Sequence, residues 1–160
     1  MCIRDRAKAV GFELIRVEGA DGTVNTNLRG KVEAAIRALN DYDLVFLHIK
    51  ATDNVSHDKN PKKKVEVLEW ISRELKPLVE KVLSEDYYLA LTGDHTTPCE
   101  VGSHTGDPVP LAIIGPGVRR DGVKRFDEIS CALGGLNRIR GMDLMRILMN
   151  YLGRVPLFGE

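Results

Sequence analysis

The chain has 160 residues, 43% of them apolar and 29% charged, which suits one globular domain burying roughly 70% of its unfolded surface. Its 23 Lys and Arg offset 23 Asp and Glu, so no net field draws it to nucleic acid or to a membrane. No apolar run reaches the length of a spanning helix, no secretory leader core is present, and Cys2, Cys99 and Cys131 are odd in number without a CxxC pair; that cysteine usage fits a reducing compartment, and the expected localisation is cytoplasmic.

Met1-Cys-Ile-Arg-Asp-Arg6 matches the translation of a common sequencing-library adapter, so the native sequence is expected to enter near Ala7 and its gene to begin well upstream. Phe12 to Val17 alternates apolar and charged residues and reads as a short strand, followed by turn-rich sequence from Glu18 to Asn27. Val32, Ala35, Ile36 and Leu39 recur at helical spacing between Arg29 and Asn40. Leu44 to Ile49 is apolar almost without alternation, the pattern of a strand covered on both faces. His48 interrupts it and is expected to be a hydrogen-bonded core or edge residue, not a ligand.

After Pro61 a long helix is expected, with Val65, Leu68, Ile71, Leu75, Leu78, Val79 and Val82 as its apolar stripe and Trp70 completing the packing. Lys62, Lys63 and Lys64 at its start read as a solvated face, and Pro77 should kink or divide it. Tyr87 to Leu91 and Val109 to Gly115 read as buried strands on either side of a Gly-, Thr- and Pro-rich loop. Residues 127–133 are ambiguous, and a last helix is expected from about Met142 to Leu152. Strands alternating with helices give an α/β class with a mainly parallel sheet.

Two strand ends carry the chemistry. The first runs Lys50-Ala-Thr-Asp53-Asn-Val-Ser-His57, and the second holds Asp94, His95 and His104. Open α/β sheets place their sites at strand ends. If the chain turns helical after Ile49, the four-residue spacing sets Asp53 and His57 on one face. A carboxylate and two imidazoles, with His104 as the third ligand, make an open site for a divalent transition metal. Asp94 and His95 read as part of a second metal site, and two ions about 4 Å apart clamp the attacking and leaving oxygens of a transferring phosphoryl group. Against this stands the bland alternative of a solvated His and a turn that caps a helix. Three of the four histidines in two such clusters outweigh it, although spacing alone leaves metal and reaction open. Cys99 is expected to fill space rather than bind the ion, and Thr96 and Asp107 to support the loop by hydrogen bonds.

At these residues the chain resembles the cofactor-independent phosphoglycerate mutases of archaeal type, in the alkaline phosphatase superfamily. The resemblance covers about Gly11 to Gly153 and is carried by Gly19-Ala-Asp-Gly, Thr26-Asn-Leu-Arg-Gly30-Lys, Lys50 through Asp58, Gly93-Asp-His-Thr-Thr-Pro98, Ser103 through Pro110, and Val123 through Met145. It implies an alkaline-phosphatase-like three-layer sandwich, incomplete at its N-terminal side, with residues 7–28 returning from an inserted domain and residues 29–160 forming the C-terminal part of the phosphatase-like domain.

The same resemblance implies that Asp53, His57 and His104 are the full protein ligand set of one metal, and that Asp94 and His95 are half the set of the other. It further implies two divalent ions, manganese or else magnesium, cobalt or zinc. The implied reaction is interconversion of 2- and 3-phosphoglycerate through a phosphoserine, with a small-molecule phosphoglycerate as the partner.

The chain departs from the family where that mechanism is most demanding. None of Ser56, Ser72, Ser84, Ser103 and Ser130 sits in the family's nucleophile motif, so no catalytic residue is assigned and the polypeptide by itself is expected to be inactive. Asn54 and Ser56 stand where acidic and glycine residues are usual. The alternatives are a related phosphotransferase such as a homoserine kinase, and a non-catalytic metal-binding module; the DNA ahead of the first codon would separate them. Arg138 and Arg140 are weak candidates for phosphate contact.

Overall fold

A computed structural model describes residues 3–155, so Met1 and Cys2 of the adapter-like hexapeptide and residues 156–160 lie outside the described residues. The chain divides into two compact units, residues 1–78 and 79–160.

In the first unit, α1 (Ile3–Ala9) precedes α2 (Leu28–Ala38), and α3 (Ala51–His57) precedes α4 (Pro61–Ser84), which runs on into the second unit. Asn27 starts α2. Its Oδ1 accepts from the Gly30 amide at 2.9 Å while its Nδ2 donates to the Glu18 carbonyl at 2.9 Å, joining the helix to the preceding loop. A Cβ on residue 30 would stand 2.5 Å from that Nδ2, which gives the Asn-Leu-Arg-Gly run a local physical reason. The expected stripe of α2 is found: Leu28 and Val32 are almost wholly buried and meet Leu78 of α4, with Ile36, Leu39, Leu47, Ile49, Trp70, Ile71 and Leu75 packed around them.

On α4 the buried residues are Val67, Leu78 and Val82, whereas Val65 and Leu68 are exposed, a correction to the expected stripe. Val67 lies one turn before Ile71, so the stripe runs back from Ile71 through Val67 and not through Leu68 and Val65. Trp70 completes the packing of both core clusters, as expected. The lysine run is largely solvated, with Lys63 paired to Glu66 at 2.9 Å. Pro77 does not divide the helix, which continues to Ser84. Pro77 and Arg73 are both exposed, so the carbonyl that loses its donor lies on the water side, where the loss is smallest.

The second unit contains β1 (Leu89–Thr92), β2 (Leu111–Ile114), α5 (Glu128–Ala132) and α6 (Gly141–Tyr151). The two strands pair antiparallel, with Leu89 opposite Ile114 and Thr92 opposite Leu111. This is the only sheet among the described residues, so the α/β class holds while the parallel sheet is not formed in them. Residues 12–17 and 44–49 carry no strand, another correction. Their patterning survives without a ladder: Phe12 and Leu14 are half-buried against exposed Glu13 and Ile15, and Leu47 and Ile49 face the core while Phe46 is exposed. A strand needs a neighbour to take its backbone hydrogen bonds, and patterning supplies none.

The ambiguous segment 127–133 is α5, capped by Asp127 Oδ1, which accepts from the Ser130 amide at 2.7 Å. Arg140 caps α6 together with Asp143 (Nη2 to Oδ1, 3.2 Å) and is therefore committed to the helix end. Asp121 ties the connection before α5. Its Oδ2 accepts from the Gly135 amide at 2.7 Å and its Oδ1 from the Val123 amide at 3.0 Å. These two bonds, the Gly135 one foremost, hold the carboxyl below its ordinary range. A depressed pKa in the folded state adds stability that is complete above the unfolded value and fades as pH falls through the folded one. The Gly135 amide resonance should therefore hold its position down to about pH 4 and move below it; movement between about pH 7 and pH 5 would show that Asp121 does not clamp this loop.

No helix among the described residues is long and apolar enough to cross a membrane.

Candidate metal centre

The first cluster is built on α3. Residues 51–57 turn helical directly after the apolar segment, and the helix brings His57 Nε2 to 3.2 Å from Asp53 Oδ1. The helical condition set by the four-residue spacing is met. The side chain of Asp53 is 13% exposed and that of His57 is 42% exposed, so the carboxylate is held while the imidazole faces outward. Lys50 Nζ lies 2.5 Å from the other oxygen, Oδ2, and 3.3 Å from Asn54 Oδ1. Asn54 Nδ2 donates to the Gly22 carbonyl at 2.7 Å, so the loop before α2 is tied into the cluster. Ser56 is buried and its Oγ donates to the Thr52 carbonyl at 2.8 Å, a helix-internal bond that occupies its hydroxyl.

The donor set fits a divalent ion. A carboxylate oxygen and an imidazole nitrogen that both bind one ion at about 2.1 Å lie about 3 Å from each other. Asp53 and His57 stand at that separation.

The second cluster is carried by the loop joining β1 to β2. Thr96 and Thr105 form an isolated antiparallel bridge, with the Thr105 amide donating to the Thr96 carbonyl at 3.0 Å, and this closes the loop on itself. Thr96 Oγ1 donates to the Asp107 carbonyl at 3.0 Å and Thr105 Oγ1 to Asp107 Oδ2 at 2.7 Å, so Thr96 and Asp107 do support the loop. Within it the His95 and His104 rings stack with centroids 3.8 Å apart. His95 Nδ1 is 3.2 Å from Oγ1 of buried Thr97, and His95 Nε2 is 4.0 Å from Asp94 Oδ2. The loop thus gathers Asp94, His95 and His104. Gly93 opens it under Val109, whose Cβ and Cγ1 would stand 3.3 Å from any side chain placed there.

His48 lies outside both clusters in its own unit. Its ring stacks on Phe46 at 6.4 Å and its backbone carbonyl accepts from Lys31 Nζ. Lys50 and Thr97 were not singled out from sequence, and Asn54 only as a departure from the family pattern. The signal for Lys50 and Asn54 was the three- and four-residue spacing from Lys50 along one helix face.

The family model described as the Metalloenzyme superfamily matches residues 5–151. The 2,3-bisphosphoglycerate-independent phosphoglycerate mutase of Pyrococcus furiosus is 47% identical over 157 residues, 98% of this chain and 38% of that protein. The protein of the same name from Pyrobaculum aerophilum is 43% identical over 158 residues, 99% of this chain and again 38% of its own length. The chain therefore spans little more than a third of the curated relatives it matches. A solved structure, that of the PH0037 protein from Pyrococcus horikoshii, superposes with a TM-score of 0.91 at 49% identity, over 96% of this chain and 47% of that one.

Proposed function

The chain belongs to the metalloenzyme superfamily, and from that premise we propose that it is the metal-binding C-terminal portion of a 2,3-bisphosphoglycerate-independent phosphoglycerate mutase, an isomerase that interconverts 2- and 3-phosphoglycerate. The observation that carries the proposal is the Asp53–His57 pair, a carboxylate and an imidazole one helical turn apart at 3.2 Å. Relatives of that name, 43% and 47% identical along nearly the whole chain, support the choice of reaction.

In this reading Asp53, His57 and His104 hold one divalent ion, and Asp94 and His95 give two ligands to a second. Manganese is the metal that the family resemblance implies, with magnesium, cobalt or zinc as alternatives; a carboxylate beside imidazoles is a donor set for a divalent transition metal. The stacked rings of His95 and His104, both in the second unit, support reading these two side chains as neighbouring ligands. When bound, such ions stabilise the charge on a transferring phosphoryl group. The residues of this chain prepare the ground for that: α3 presents Asp53 and His57 together, Lys50 orients the carboxylate, and Thr97 steadies the His95 ring. The phosphoserine belongs to sequence outside these 160 residues, as do the strands that would pair with residues 12–17 and 44–49 in a mainly parallel, alkaline-phosphatase-like sandwich. The substrate is a small phosphorylated acid, the setting cytoplasmic, and the balanced charge supports neither a nucleic-acid nor a membrane partner.

Calorimetric titration of the purified chain with Mn2+ tests the reading. One equivalent is expected to bind tightly and a second weakly. The same preparation should show no turnover of 3-phosphoglycerate, because no nucleophile splits the transfer into two steps. Absence of tight Mn2+ binding would refute the site, and measurable turnover would refute the assignment of the nucleophile to other sequence.

A further inference from the structure

We infer that Lys50 is a positioning residue of the metal centre. It occupies Oδ2 of Asp53, leaves that carboxylate a single oxygen for an ion, and so selects against cations that favour two-oxygen ligation, calcium above all. The inference rests on the reading of Asp53 and His57 as ligands.

The two oxygens of Asp53 have different surroundings. Oδ1 is 3.2 Å from His57 Nε2, whereas Oδ2 is 2.5 Å from Lys50 Nζ. The second contact is charge-assisted and short, the strongest class of hydrogen bond available to a carboxylate. Residues 50, 53, 54 and 57 fall at helical spacings of three, four and seven, so one helix face carries the ammonium, the carboxylate, the amide and the imidazole in a row.

The ammonium is held from behind as well. The Lys50 stem passes over Gly22, where a Cβ would stand 3.3 Å from Lys50 Cδ. Asn54 spends its Nδ2 on the Gly22 carbonyl, which leaves Oδ1 to face the ammonium at 3.3 Å. An uncharged amide at position 54 thus completes a cradle that keeps Lys50 on Oδ2.

The chemical consequence follows from coordination habits. Calcium takes six to eight oxygens and often grips a carboxylate by both. Smaller divalent ions accept one oxygen per carboxylate and, as hardness falls, imidazole nitrogen. Blocking Oδ2 costs calcium a ligand atom and costs manganese nothing.

The test is competition of Ca2+ against Mn2+, read from the electron paramagnetic signal of free Mn2+, in the wild-type chain, Asp53→Asn, Lys50→Met and Lys50→Arg. Met keeps the stem over Gly22 and removes the ammonium; Arg keeps a charged donor for Oδ2. The preference for Mn2+ over Ca2+ is expected to fall about tenfold in Lys50→Met and to stay near wild type in Lys50→Arg. A purely structural role would weaken both ions together and leave the ratio unchanged. Should Lys50→Met fail to fold by circular dichroism, Lys50→Ala serves as the second uncharged variant. A chain that loses Mn2+ in Asp53→Asn but keeps its ratio without the Lys50 ammonium overturns this inference alone. A chain whose Mn2+ binding survives Asp53→Asn removes the metal reading and this inference with it.

Discussion

Exchanging Asp53 for Asn, or His57 for Ala, should lower Mn2+ affinity by about 100-fold or more, because even changes to groups that only orient a metal's ligands cost 10–100-fold. Asp53→Asn is the cleaner of the two. It conserves volume and leaves an oxygen for Lys50, so α3 keeps its shape while the ion loses its anionic donor. His57 is the more exposed partner, 42% against 13%, so its truncation leaves no cavity and reports on the ligand itself. His48→Ala is the matched control. That ring lies against Phe46 and is assigned to packing, so Mn2+ binding should be unaltered. His95→Ala should weaken the second equivalent while sparing the first. Titration calorimetry on the set decides: wild-type affinity in Asp53→Asn would remove the centre, and an equal loss in His48→Ala would mean that the effect is structural.

Asp53 and His57 were legible because their geometry is local. Four residues on a helix are a fixed distance, and the only open question was whether the chain turned helical after Ile49. The loop of Asp94, His95 and His104 was legible as a cluster for a similar reason, since a bridge between Thr96 and Thr105 closes it within a few residues. What was not legible is whatever depends on a distant partner. Residues 12–17 and 44–49 have strand patterning and no strand, because alternation and apolarity describe which side of a segment meets the core and say nothing about which backbone pairs with it. The antiparallel sense of β1 and β2 was hidden in the same way. On α4 the expected stripe held at Ile71, Leu75, Leu78 and Val82 and failed at its start: Val65 and Leu68 were expected inside, and Val67 took their place. An amphipathic stripe rich in apolar residues admits two neighbouring phases, and the residues it packs against choose between them.

That phase choice makes the second large effect. Leu28→Ala should destabilise the first unit by about 3 kcal/mol, within the range for a fully buried leucine whose surroundings relax only in part. Leu28 is 1% exposed and sits at the start of α2 against Val32 and Leu78, with partly buried side chains from residues 36 to 75 closing over it. Its removal would open a hole at the junction of α2, α4 and the apolar segment 44–49, where no single neighbour can swing in without leaving its own contacts. Leu68→Ala, the same chemical change on an equally apolar stretch of sequence, should shift stability by no more than about 0.5 kcal/mol, since that side chain is already 49% exposed. Urea midpoints followed by helical circular dichroism separate the two. Equal shifts would mean that α4 presents its other face to the core, and then Lys50, Asp53 and His57, set beside Val55 and Val67 of the second core cluster, which shares Ile49, Trp70 and Ile71 with the first, would lose the support that holds the metal ligands in line.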